Sequence, residues 1–151
     1  MGLKQRLEND LKEALRNKDE RRKTTLRLAL AAIQNEGISK GQELNEGEVI
    51  GVLSKEAKLR RESAEQFAEG AREDLVAQEE EALSILMEYL PAQLSQEEIE
   101  ARVREVVEEV GATGLAQMGD VMRVLMPELK GKADGQAVSD TVKGILGQTQ
   151  Q

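Results

Sequence analysis

The stretch LSILMEYLPAQLSQEEIEARVREVVEEVG, residues 83–111, decides how this chain is organised. Leu83, Leu86 and Leu90 recur at the three- and four-residue spacing of an amphipathic helix. Pro91 halts that helix, because proline lacks the N–H that would continue it and biases the preceding residue away from helical conformation. Just beyond, Ser95 with Glu98 three positions later forms a capping box, the signature of a new helix start. Ile99, Val103, Val106, Val107 and Val110 stripe this second helix, and Gly111 is placed to end it. A stop and a start so close together predict a domain boundary, with one helical domain over residues 1–92 and another over 93–151. The full length of 151 residues suffices for two small domains.

The same periodicity runs outward in both directions. Leu3, Leu7, Leu11, Ala14 and Leu15 predict a first helix. After Asn17, a capping residue type, Leu26, Ala29, Leu30 and Ile33 predict a second helix. Its latter half is apolar nearly all round, and Gly37 is placed to stop it in a left-handed conformation. Asn45 with Glu48 predicts a third helix striped by Val49, Ile50, Leu53, Ala57, Ala64, Phe67 and Ala68 and stopped at Gly70. Arg60 falls inside that stripe and is expected to snorkel or to meet a carboxylate. Leu75 opens the inward face of the fourth helix. On the other side of the boundary a sixth helix is expected from about Leu115 and a seventh after Asp134. No strand pattern and no low-complexity linker intervenes, so the fold class is all-α: four N-terminal helices followed by three.

Composition narrows the chemistry. There is no Cys and no His, which excludes thiolate nucleophiles, disulfides, imidazole bases and the usual zinc ligands. No apolar run approaches the ~20 residues of a membrane span, and the expectation is a cytoplasmic protein with no membrane partner and no cofactor. The net charge of −8 opposes general attraction to nucleic acid, so any polyanion contact must be local. The densest basic run, Lys12 to Arg27, reads first as a solvated helix face carrying ion pairs.

One motif stands out: GDVMRVLMPELKGKADGQAV, residues 119–138. On a helical wheel of ~100° per residue, Met118, Val121, Met122, Leu125, Met126 and Leu129 form one apolar stripe. Gly119, Arg123 and Lys130 fall along its edge, where Gly119 would let another backbone approach. Pro127 predicts a kink, or a break near Met126. Gly131 and Lys132 follow, then Asp134 as the candidate cap of the last helix, whose N-terminal N–H groups could hold a phosphate. Asp134 would compete for those same groups.

These residues resemble a family, the small GatB/YqeY-domain proteins of the YqeY-like kind. The resemblance is carried by LRLALAAIQNE at 26–36, by residues 71–100 and by GATGLAQMGDVMRVLMPELKGKADGQAVSDTVKGIL at 111–146. It implies a four-helix part followed by a three-helix part that is similar to the tail domain of the aspartyl/glutamyl-tRNA amidotransferase B subunit. In that enzyme the tail helps to hold the tRNA, while glutamine hydrolysis and amidation occur elsewhere. Carried over by position, the matching residues are Gly119, Met122, Gly131, Lys132, Ala133, Asp134 and Val138. Met122 and Val138 are assigned to packing. Gly131 and Lys132 are expected to contact nucleic acid, with Arg123, Lys130 and Gly119 added from the wheel.

Three functions follow as expectations. The first is a tRNA-binding accessory protein working beside amidotransferase or aminoacyl-tRNA synthetase machinery. The second is a helical protein–protein interaction module. The third, a component of a carbon–nitrogen ligase with glutamine as amido-N-donor, meets a chemical objection. Glutamine hydrolysis needs an activated nucleophile, and this chain has no Cys and no serine with an evident base. No catalytic residue is therefore assigned. Residues 111–151 carry four basic and four acidic side chains, so RNA binding there would be weak and salt-sensitive. The lack of stacking aromatics would confine it to shape and backbone.

Overall fold

A computed structural model describes residues 2–149 of the chain. Helices account for 80% of it, with no strand among the described residues. Among the described residues seven α-helices follow in order: α1 (Leu3–Arg16), α2 (Glu20–Lys40), α3 (Glu46–Glu69), α4 (Glu73–Met87), α5 (Gln96–Val110), α6 (Met118–Leu129) and α7 (Gly135–Thr149). A 3-10 turn, Leu115–Gln117, leads into α6. Packing divides the chain into two compact units, Met1–Pro91 and Ala92–Gln151.

The N-terminal unit is a four-helix arrangement in which α3 packs most extensively on α4, and α1 on α2. Its core is Leu3, Leu7, Leu26, Ala29, Ile33, Val49, Leu53, Ala57, Ile85, Leu86 and Tyr89. Arg60, inside the apolar stripe of α3, meets Glu79 of α4 at 2.9 Å. At the end of α4 the Tyr89 hydroxyl donates to the Asp10 carboxylate, and the Arg6 guanidinium lies 4.6 Å from the Tyr89 ring centroid. These contacts fix α1 against the last turn before Pro91.

Several expectations are corrected here. Asp19, not Asn17, caps α2, accepting the Arg22 N–H at 3.1 Å, while Asn17 ends α1. Gly37 lies within α2, which continues to Lys40 and stops at Gly41 with φ 73°. Ile38, Ser39 and Lys40 can all be helical, so the helix runs on until the second glycine supplies the left-handed residue. Leu15 is exposed (45%) and so is Ala68, because each lies near a helix end beyond the reach of the core. The Asn45–Glu48 capping box is present.

The C-terminal unit packs α5, α6 and α7 around Ile99, Val103, Val106, Ala112, Val121, Leu125, Leu129, Val138, Val142, Ile145 and Leu146. Ser95 and Glu98 form the expected reciprocal cap, and Gly111 ends α5 in left-handed conformation. Val110, expected in the stripe of α5, is 38% exposed. α6 does not break at Met126: it passes through Pro127 to Leu129. The proline sits in the last turn, and Leu125 and Leu129 on either side of it are both buried. Their burial is worth about 1.5–3 kcal/mol each, against a cost of ~3 kcal/mol for a proline in a helix interior.

Candidate nucleic-acid interface

The site is the link between α6 and α7. At Lys130 the backbone leaves the helix, with φ −56° and ψ 126°. Gly131 follows at φ 79°, a left-handed conformation that glycine adopts without steric cost. The chain thereby folds back on the last carbonyls of α6. The Leu129 carbonyl accepts N–H groups from both Lys132 (2.9 Å) and Ala133 (3.1 Å). The segment entering α5 braces the turn from the side: Leu94 N–H donates to the Lys132 carbonyl at 2.9 Å, and Gln93 Nε2 donates to the Gly131 carbonyl at 2.6 Å.

Burial alternates through this turn. Leu129 and Gly131 are buried, Ala133 is half-buried, and Lys130 and Lys132 are exposed. The two ammonium groups are therefore presented from a fixed backbone, and neither makes an ion pair among the described residues. One neighbouring acid is already committed. Glu128 takes two bonds from Arg102, at 2.6 and 2.8 Å. That guanidinium holds the Glu128 carboxyl below the usual carboxylate range, with Lys132 adding a smaller pull in the same direction. Arg102 also bonds Glu105 and Glu109 at 2.9 and 3.3 Å, and with three carboxylates around it its guanidinium is held charged more firmly than usual.

The other sequence-derived residues divide between surface and core. Arg123 is exposed on α6, its side chain 80% accessible and only loosely paired with Asp120 at 3.7 Å. The wheel that set it beside Lys130 does not hold, because Lys130 lies past the helix end. Gly119 is exposed, and a Cβ built there would meet nothing within 4 Å, so no other backbone approaches it among the described residues. Gly131 is buried with its carbonyl taken by Gln93, so it shapes the turn instead of offering a surface. The N–H groups of Lys132 and Ala133 are likewise spent on Leu129, which removes them from any phosphate cradle. Asp134 stands directly before α7, and its carbonyl accepts the Val138 N–H at 3.1 Å. Val138 is buried, and Met122 packs half-buried against the same core.

Sequence reasoning missed Gln93, Leu94 and Arg102, which hold the turn and neutralise the acid beside it. Their partners lie 26 to 38 residues away, beyond any local periodicity. Among the described residues no group of His, Cys, Asp or Glu could hold a metal ion, and no helix is long and apolar enough to cross a membrane.

The profile of the family described as Yqey-like protein matches residues 4–146 of the chain. The chain belongs to the YqeY family. Among curated relatives of this YqeY member is the "Altered inheritance of mitochondria protein 41, mitochondrial" of Kluyveromyces lactis. It is 40% identical over 105 residues, which is 67% of this chain and 56% of that protein. The protein of the same name from Lachancea thermotolerans is 39% identical over 108 residues, covering 69% and 57%. That from Pyrenophora tritici-repentis is 30% identical over 146 residues, covering 94% and 80%. The first two matches thus span less than two thirds of the relatives' own lengths. All three relatives are named as mitochondrial proteins. That overturns the expectation of a cytoplasmic protein, which rested only on composition and on the lack of a long apolar run.

Proposed function

We propose that this YqeY-family protein is a tRNA-binding accessory factor related to tRNA-dependent amidation, without catalysis of its own. It meets the RNA backbone through Lys130 and Lys132 on the α6–α7 turn, with Arg123 nearby on α6. The observation that carries the reading is the turn itself. It is locked by four hydrogen bonds, from Lys132 and Ala133 to Leu129 and from Leu94 and Gln93 to Lys132 and Gly131. It exposes two lysines that make no ion pair among the described residues, while Arg102 occupies the neighbouring Glu128. Cations held on a fixed backbone lose less freedom on meeting phosphate than cations on a mobile loop. The partners that fit are tRNA and, through it, amidotransferase or aminoacyl-tRNA synthetase machinery.

The test is fluorescence anisotropy of labelled bulk tRNA at low and near-physiological salt, with the Lys130→Ala/Lys132→Ala double variant alongside. Saturable binding that weakens with salt and with the double substitution is expected. Equal affinity in the two proteins removes the turn from the interface. No binding at either salt favours the protein-docking reading, for which the N-terminal unit offers Ile38, 70% exposed, and Leu28, 55% exposed.

A further inference from the structure

The N-terminal unit carries a feature that RNA binding does not use. Helices α2, α3 and α4 line a partly open cavity of about 230 Å³. Polar groups converge on it. Thr25, buried to 6% exposure, lines it with Arg21 of α2, Glu56 and Arg60 of α3, and Glu79 of α4. Leu28, 55% exposed, stands beside them.

Glu56 and Arg60 lie one turn apart on α3, a spacing that favours an ion pair. Arg60 instead reaches Glu79 at 2.9 Å, and Glu56 makes no ion pair among the described residues. A guanidinium has five N–H donors. The contact with Glu79 occupies one of them, and Arg60 Nε is fully buried without a partner. Among the described residues Arg21 is held only by Glu81, at 3.5 Å through Nε. The buried Arg60 Nε without a partner carries a desolvation cost, and the side chain, 27% exposed, leaves outer N–H groups for a bound carboxylate.

The lining also selects the ligand's charge. Two guanidiniums face two carboxylates, so a simple anion meets Glu56 and a simple cation meets Arg21 and Arg60. A molecule with both ends satisfies both. The volume falls below the ~300 Å³ at which sites for drug-sized ligands begin, which suits a small metabolite. We propose that this cavity binds a free α-amino acid, with its carboxylate on Arg60 and Arg21, its ammonium on Glu56 and its side chain toward Leu28. This site is independent of the RNA reading and involves no covalent step.

The test titrates the intact, isotopically labelled chain with each of the common L-amino acids, following backbone amide shifts. Citrate and ethanolamine serve as probes bearing one sign of charge. At least one amino acid is expected to give saturable shifts centred on Thr25, Glu56 and Arg60. Arg60→Gln and Glu56→Gln should each weaken it by about tenfold, the loss of one charge-assisted hydrogen bond. Arg60→Lys, which keeps the charge, serves if Arg60→Gln loses helical circular dichroism, and it too should weaken binding by breaking the guanidinium geometry. The proposal is overturned if no amino acid saturates by about 10 mM, a limit well beyond the ~1 mM of a weak site. It is equally overturned if citrate or ethanolamine binds as tightly, if the shifts map elsewhere, or if the variants bind unchanged.

Discussion

Two glycines in the C-terminal unit should respond to alanine with opposite signs. Gly131 sits at φ 79° in the α6–α7 turn, where an added Cβ costs roughly 1–2 kcal/mol by crowding the carbonyl. In a unit of about 60 residues each kcal/mol moves the melting temperature by about 4–8 °C. Gly131→Ala should therefore lower it by about 4–16 °C. Gly144, in the middle of α7, is exposed, and a Cβ there would meet nothing within 4 Å. Replacing it with alanine recovers the ~0.8–1.0 kcal/mol that glycine costs in a helix interior, which raises the melting temperature by about 3–8 °C. Thermal unfolding followed residue by residue by NMR reads the C-terminal unit separately. An unchanged or raised melting temperature for Gly131→Ala would refute the left-handed turn, and with it the geometry that presents Lys130 and Lys132. A loss at Gly144→Ala would mean that this face of α7 is covered.

Three further outcomes test the interactions that hold each unit together. Ser95→Ala removes the bond that the Ser95 hydroxyl accepts from Glu98 N–H at 3.1 Å; it should cost about 1 kcal/mol, and no loss in urea unfolding would show that α5 starts without its cap. The Glu128 carboxyl is held low by Arg102, so its contribution is complete above the ordinary glutamate pKa of about 4.3 and is lost as pH falls through the lower folded value. Urea midpoints of the wild type and Glu128→Gln should accordingly converge across that acid range, and a constant gap would discount the ion pair. Tyr89 is pushed the other way, above the ordinary tyrosine range, first by burial and then by its bond to Asp10. Its contribution is present below the unfolded pKa of about 10 and is lost as pH rises through the folded value, so tyrosinate absorbance should appear only above pH 10, and a normal titration midpoint would place the ring in solvent.

What was legible in the sequence was local. Asn45 with Glu48, and Ser95 with Glu98, were readable because a capping box lies within four residues and its donors have no other partner in the helix. Gly37 misled because a glycine four residues before another can be carried in a helix, and only the tertiary course of the chain decides which one stops it. Lys130 was misplaced for a related reason: the wheel assumes that the helix continues, and α6 stops one residue earlier. Arg102 with Glu128, Gln93 with Gly131, and Thr25 with Arg60 and Glu79 bring together residues 19 to 54 positions apart from separate elements of the chain. No single-element periodicity encodes such meetings. The position of Arg60 in an apolar stripe signalled that something polar must face it, without naming the partner.

The salt dependence of tRNA binding separates an interface from incidental attraction, and its size follows from the count of exposed cations. Arg123, Lys130 and Lys132 supply at most three phosphate contacts. At about 0.7–0.9 released counterions per contact, the logarithm of affinity should fall with a slope of about −2 to −3 against the logarithm of salt. Between about 50 and 200 mM that is a loss of about 20- to 40-fold. With both lysines replaced by alanine one contact remains, and the same change in salt should cost only about threefold. The acidic remainder of the chain sharpens the contrast, since a net charge of −8 gives no general attraction to hide behind. A wild-type slope near −1, or an equal slope in both proteins, would mean that the turn makes no phosphate contact, whatever the affinity. A slope much steeper than −3 would place additional cations at the RNA, and Lys12, Arg16, Lys18 and Arg27 would be the first to replace, since Arg21, Arg22 and Lys23 of the same run are already paired with Glu81, Glu88 and Glu20.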